Sequence, residues 1–170
     1  MFCTDIPAPI FLIISKATPP LLYYFHIPTA VIALFIGFFV LYKNRTLASK
    51  ILLSIAVVFF IWIFLNLIVW TNIDSKLIMF SWSFFGILNV LLFFLSFYFV
   101  YVFINKKDIS FRYKFFASLL LLPVILLTPK NLVGFDLVNC EAQENVAYFN
   151  YVFGLELVVS LGILFFSIFN

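Results

Sequence analysis

The sequence predicts an all-α, polytopic transmembrane helix bundle of about five spans. Of the 170 residues, 66% are hydrophobic and 10% are charged, and the mean hydropathy is +1.22. A soluble domain carries about 25% charged and about 45–50% apolar residues. Too few polar side chains remain here to cover a globule in water, which excludes a soluble enzyme, an extended disordered chain and a conventional nucleic-acid binder.

The long apolar runs favour helices over a membrane β-barrel. A helix needs about 20 apolar residues to cross a hydrocarbon core of about 30 Å. Barrel strands would alternate polar with apolar residues over about ten positions, whereas these runs are continuously apolar and much longer. Helices also satisfy their own backbone hydrogen bonds, as a lipid environment requires.

The chain divides into an N-terminal segment, residues 1–20, and a transmembrane helical domain, residues 21–170. The apolar run in the first segment is too short to span, so we expect it to lie in the outer interface. The third span is longer than a bilayer requires and is expected to tilt or protrude. The five predicted spans are, in order, Leu21–Tyr42, Ile51–Trp70, Leu77–Ile104, Phe111–Thr128 and Ala147–Phe169.

The basic residues predict the orientation of the bundle. Lys and Arg in short loops are retained on the cytoplasmic side. Seven of the ten basic residues lie in two loops, those after the first and third spans, which places the N-terminus outside and the C-terminus in the cytoplasm. These seven are Lys43, Arg45, Lys50, Lys106, Lys107, Arg112 and Lys114.

Polar residues inside the spans form the candidate site. Glu156 is the only charged residue deep in a span, and a buried acid is expected to face the bundle or a cavity. Ser160 lies one turn further along the same face. Asn66 and Asn89 lie on stripes of the second and third spans that could face Glu156. This set is either a proton or ligand site, or a group of hydrogen bonds that holds the helices in register.

Three further residues, one histidine and two cysteines, carry separate predictions. His26 near the outer end of the first span is either pH-responsive, since an ordinary histidine pKa is near 6.5, or a polar anchor at the interface. Cys3 and Cys140 both fall on the outer, oxidising side, where they form either a disulfide or two free thiols.

Motifs for catalysis and cofactor binding are missing from the sequence. It contains no Gly-rich phosphate loop, Cys-x-x-Cys pair, nucleophile elbow or His-Glu-x-x-His zinc motif. A single histidine excludes a metal site built on imidazoles. We therefore expect this chain to hold no metal or cofactor and not to be an enzyme.

The residue pattern resembles the N-terminal seven-span sensor region of bacterial membrane histidine kinases. The resemblance starts at about Tyr23, covers five of the seven helices, and implies a bacterial cytoplasmic membrane. The chain has no phosphoacceptor histidine or ATP-binding segment, so no kinase residue is carried over. The residues that carry the resemblance are His26-Ile27-Pro28, Lys43-Asn44-Arg45, Trp62, Leu65-Asn66, Trp70-Thr71-Asn72, Trp82, Thr128-Pro129, Asn139-Cys140-Glu141, Tyr148 and Tyr151.

Two functions from different classes remain open at this point. The first is a membrane-embedded sensor that passes helix rearrangements to a cytoplasmic output in a two-component system. Because the sequence stops within an apolar run, we expect it to be the front part of a longer protein. The second is a small oligomeric transporter or channel subunit. The expected partners are the lipid bilayer and a second copy of the chain, and the sequence does not indicate the ligand.

Overall fold

The computed structural model describes Cys3 and residues 20–169. Apart from Cys3 and Pro20, the predicted N-terminal segment lies outside the described residues. Within the described part, five helical stretches are long and apolar enough to cross a membrane, which confirms the predicted number. The elements are α1 (Pro20–Lys43), α2 (Leu47–Thr71), α3 (Ser75–Ser83), α4 (Phe85–Asn105), α5 (Phe111–Leu127), a 3-10 turn (Thr128–Lys130), β1 (Leu132–Asp136), β2 (Glu141–Glu144) and α6 (Val146–Phe169).

Local hydrogen bonds fix several of the helix ends. Thr46 accepts from the Ser49 N–H at 3.3 Å and begins α2, as an N-cap threonine commonly does. At the C-terminal end of α4, Lys106 adopts a left-handed conformation with φ 55°. Its N–H donates to the Val102 carbonyl at 2.9 Å, which satisfies one of the carbonyls that a helix end leaves free.

The third span differs from the single helix predicted over Leu77–Ile104, because the structure divides it at Phe84. The Phe84 N–H donates to the carbonyls of Ser81 and Trp82 rather than to the residue four positions back, so the α-helical ladder is interrupted. The second part, α4, has 21 residues and is about 30 Å long, enough to cross a bilayer alone. The extra length of this span is therefore the separate short helix α3.

A β-hairpin occupies the segment between Thr128 and Ala147, for which the sequence predicted no element. Strands β1 and β2 pair antiparallel, with Phe135 opposite Ala142 and Asp136 opposite Glu141. An irregularity between Leu132 and Gly134 shifts the register. The hairpin packs on α3.

The helices form a row in which α1 packs on α2, α2 on α4, and α4 on α6, while α5 contacts α4 and α6 less extensively. We call the end with residues 71–75 and 128–146 the hairpin end, and the end with residues 43–50 and 105–114 the basic end. The predicted spans place these groups of loops at opposite ends of the bundle. One buried cluster, between α4, α5 and α6, consists of Val90, Val124, Tyr148, Val152 and Leu155.

Candidate functional site

The hairpin end carries a second buried cluster, which we call the hairpin cap. It joins the end of α2, the helix α3, the hairpin and Cys3. Ile78 of α3 is fully buried at its centre. Because the cap has its own apolar centre, it is a packed unit rather than a set of loops. Its members are Cys3, Val69, Ile73, Ile78, Trp82, Phe85, Phe135 and Cys140.

Two long-range hydrogen bonds tie α3 to the segment that leads into α6. The Trp82 indole N–H donates to Glu144 Oε1 at 2.8 Å. The buried Asn131 side chain donates to the Ser83 carbonyl at 2.8 Å, and its own carbonyl accepts from the Asn145 N–H at 2.7 Å. Since Asn145 also accepts from the Ala147 N–H at 3.0 Å, the start of α6 is connected to α3 through hydrogen bonds.

A disulfide joins Cys3 to Cys140 in the cap. The Cα atoms of the two cysteines are 5.4 Å apart. The Cys3 N–H donates to the Leu137 carbonyl at 3.0 Å, so backbone and side chain both attach this residue to the hairpin turn. The pairing links positions separated by 137 residues, with four of the helical stretches that are long and apolar enough to cross a membrane between them.

The hairpin turn itself is organised by Asp136. Its carboxylate accepts from the Val138 N–H at 2.8 Å and from the Asn139 N–H at 3.3 Å. These two backbone hydrogen bonds lower the pKa of Asp136 from its ordinary value, since they favour the charged form. Cys140 follows with φ 59°, which turns the chain into β2.

Directly below the cap, Tyr148 of α6 packs against α4 at Gly86. A Cβ atom at Gly86 would overlap the phenol of Tyr148, so the missing side chain permits the close approach. The Tyr148 hydroxyl is buried and forms no hydrogen bond of ordinary geometry among the described residues. The polar side chains of Thr128 and Asn131 lie near it.

Glu156 lies two turns further into α6, where it is half-buried. Its Oε1 is buried and has no hydrogen-bond partner among the described residues. Ser160 does not donate to the carboxylate; its hydroxyl donates to the Glu156 backbone carbonyl at 2.7 Å.

The other predicted site residues do not join Glu156 through hydrogen bonds. Asn66 of α2 instead forms a hydrogen bond with His26 of α1, at 3.2 Å between Nδ2 and Nε2. Asn89 is half-buried in α4, and its side chain makes no hydrogen bond to a residue that the structure describes. Two buried nitrogen atoms, Nε1 of Trp62 in α2 and Nδ1 of His26 in α1, have no hydrogen-bond partner among the described residues.

The basic end also contains a hydrogen-bonded charged group, and none of its residues was a predicted site residue. Asp108 accepts from Lys114 Nζ at 2.7 Å and from the Tyr98 hydroxyl at 2.6 Å. These bonds, chiefly the one from Lys114, lower the pKa of Asp108 from its ordinary value. Opposite charges six residues apart at the start of α5 are the sequence signal that could have indicated this pair.

No protein family, curated protein or solved structure matches this chain. Within the described residues, no three His, Cys, Asp or Glu side chains group as a metal site would require.

Proposed function

We propose that this chain is the membrane-embedded input region of a signal-transduction protein. The proposal rests on one observation. The packed hairpin cap is attached to both α4 and α6, and these two helices contact each other along the bundle. A signal that alters the cap would shift α4 and α6 together. A ligand, a lipid state or a partner protein could act there, provided that it favours one of two helix arrangements.

The path from the cap to the basic end follows the contact between α4 and α6. It begins where Tyr148 packs on Gly86 and continues through the buried pair Val90 and Val152. At the basic end the rings of Tyr101 and Phe166 stack with centroids 5.4 Å apart. A rigid pair of helices in continuous contact can carry a displacement between its ends.

An added output domain tests the proposal. A histidine-kinase transmitter would be attached after residue 170 in several fusions whose linkers differ by one residue, so that one helical turn is sampled. Autophosphorylation would be measured in proteoliposomes with the cap intact and with Glu144→Ala, which removes the acceptor of the Trp82 indole. Glu141→Ala, at an exposed position of the same strand, is the matched control.

We expect Glu144→Ala to change autophosphorylation at least threefold in one or more fusions and Glu141→Ala to leave it within experimental error. A response of the same size to both variants, or no response in any fusion, would contradict the proposal. Folding of each variant would be checked by its elution as a single species in detergent.

One observation favours the second candidate, a transporter or channel subunit. Glu156 Oε1 is buried without a partner, and intramembrane acids often mark ion pathways. Flux of protons and small ions through the purified chain in liposomes decides between the two. Flux that Glu156→Gln abolishes would support transport, whereas the input-region proposal expects no flux above that of empty liposomes.

A further inference from the structure

An apolar cleft opens between α4, α5 and α6 in the half of the bundle nearer the basic end. It has a volume of about 540 Å³. Binding sites for small ligands measure about 300–1,000 Å³, so the cleft is large enough for a substantial part of an amphiphilic molecule. Among the residues that line it are Phe94 and Phe97 of α4, Phe116 and Ala117 of α5, and Val159 and Gly162 of α6.

The cleft exists because α5 is held to its neighbours mainly at its other half. Val124 is the only residue of α5 that is buried, and it belongs to the cluster shared with α4 and α6. Tyr151 of α6 also donates to the Leu120 carbonyl at 3.0 Å. Nearer the basic end the facing residues of α5 and α6 are half-buried, as Ala117 and Val159 are, or exposed, as Phe116 and Val158 are.

Small side chains leave the floor of the cleft open. A Cβ atom at Gly162 would touch Phe97 at 3.6 Å, which is ordinary van der Waals contact. Ala117 faces the same space from α5. A Cβ atom at Gly162 therefore fits without a backbone shift, and a larger side chain at either position would extend into the cleft.

The mouth of the cleft is polar and basic. Tyr98 and Lys114 line it, and both donate to Asp108. Residues 105–114, which include the loop between α4 and α5 and the first turn of α5, carry four basic side chains against this one acid. A molecule seated in the cleft would thus have an apolar part against the aromatic walls and a head beside an excess of positive charge.

We propose that this cleft binds an acyl chain of an anionic phospholipid whose phosphate head lies beside Lys114 and the neighbouring basic side chains. Charge complementarity selects an anionic head, since each Lys or Arg near a membrane surface attracts acidic lipids. The apolar walls and the opening toward the surrounding hydrocarbon select an acyl chain. This site is separate from the hairpin cap and does not depend on the proposed function.

Photolabelling tests the proposal on the full chain in detergent micelles. The probe is phosphatidylglycerol with a diazirine in the middle of one acyl chain, and the comparison is phosphatidylcholine with the same chain. Peptide mapping by mass spectrometry locates the label. We expect it on the cleft walls of α4, α5 and α6, and stronger with phosphatidylglycerol than with phosphatidylcholine.

Variants of α6 separate the cleft from the general lipid surface. Gly162→Leu fills the cleft and should reduce labelling of its walls at least fivefold. Gly154→Leu is the matched control, because a Cβ atom there meets nothing within 4 Å. If Gly162→Leu fails to fold, Ala117→Leu supplies the same test from α5.

Charge variants test whether basic side chains bind the phosphate headgroup of the lipid. Replacing Lys106 and Lys107 together by Gln should lower the apparent affinity for phosphatidylglycerol by roughly fivefold for each charge removed, while Lys76→Gln near the hairpin end should not change it. Equal labelling by the two lipids, or wall labelling that neither filling variant reduces, would overturn the proposal. Cross-links between two copies of the chain across the cleft would also overturn it, since a second protomer would then occupy the space.

Discussion

The phenol of Tyr148 occupies the space that a side chain at Gly86 would fill, and this contact brings α6 against α4 directly below the hairpin cap. Both residues lie next to hydrogen-bonded parts of the cap. Asn145, three residues before Tyr148, caps α6, and Trp82, four residues before Gly86, bonds to Glu144. The contact therefore links the cap to the two helices that continue through the bundle.

Gly86→Ala should destabilise the protein by about 1–3 kcal/mol, because the new methyl group overlaps a buried ring and either the ring or the helix must move. The free energy of unfolding in mixed micelles with increasing dodecyl sulfate measures the loss. Gly154→Ala, whose new methyl group meets open space, should not destabilise the protein, since alanine is favoured over glycine inside a helix. If Gly86→Ala costs as much in a Tyr148→Ala background as alone, the overlap is not the cause.

The disulfide should be present in the protein extracted under non-reducing conditions. Cys140→Ser is expected to reduce stability by about 2–4 kcal/mol, since a cross-link between distant positions restricts the unfolded chain. Adding Cys3→Ser should cost little more, because the bond is already lost. Mass spectrometry of the unreduced digest should find the two cysteine peptides joined. Complete alkylation of both thiols without a reductant would contradict the pairing.

The hydrogen bond between His26 and Asn66 should couple α1 to α2. Interhelical hydrogen bonds in membrane proteins contribute about 0.6–2 kcal/mol, and a double-mutant cycle with His26→Phe and Asn66→Leu should return a coupling energy in that range. A second cycle, with His26→Phe and Asn89→Leu, is the control, since Asn89 bonds to no described residue. Coupling that is equal in both cycles would show that the described bond is not formed.

The hairpin turn should loosen in acid. Because its hydrogen bonds lower the pKa of Asp136 in the folded protein, the stabilisation is fully present above the unfolded-state pKa of about 3.9 and is lost as the pH falls through the lower folded-state pKa. The amide chemical shifts of Val138 and Asn139, followed from pH 7 to pH 2 in micelles, should titrate with a midpoint below 3.9. Asp136→Ala should remove that titration. A midpoint at or above 3.9 would contradict the assigned hydrogen bonds.

The sequence predicted the spans well because a single strong signal defines them. Continuous apolar runs end at polar or charged residues such as Lys43 and Asn105, and the helices end at the same places. The division of the third span at Phe84 carries no such signal. The interruption arises where Ser81 and Trp82 share one N–H and where α3 leaves the bundle to pack in the cap, which is a tertiary effect.

The β-hairpin and the hydrogen-bond partners of the site residues could not be predicted, because they depend on contacts between distant parts of the chain. Strand β2 has only four residues, Glu-Ala-Gln-Glu, too few for alternation to stand out from a polar loop. The intramembrane polar residues were identified by type, but their partners were not. Asn66 faces His26 across α1 and α2, and Ser160 turns back to its own helix, since local backbone acceptors compete with distant carboxylates.

Transmission from the cap to the basic end should change the distance between α4 and α6 at the basic end. Spin labels carried by encoded non-cysteine residues would replace Phe103 of α4 and Ile168 of α6, which are 56% and 73% exposed. Pulsed electron–electron double resonance in nanodiscs would measure the distance between the two labels in the intact chain, in Glu144→Ala and in the Glu141→Ala control. We expect Glu144→Ala to shift or broaden the distance distribution and Glu141→Ala to leave it unchanged. Identical distributions for all three proteins would contradict it.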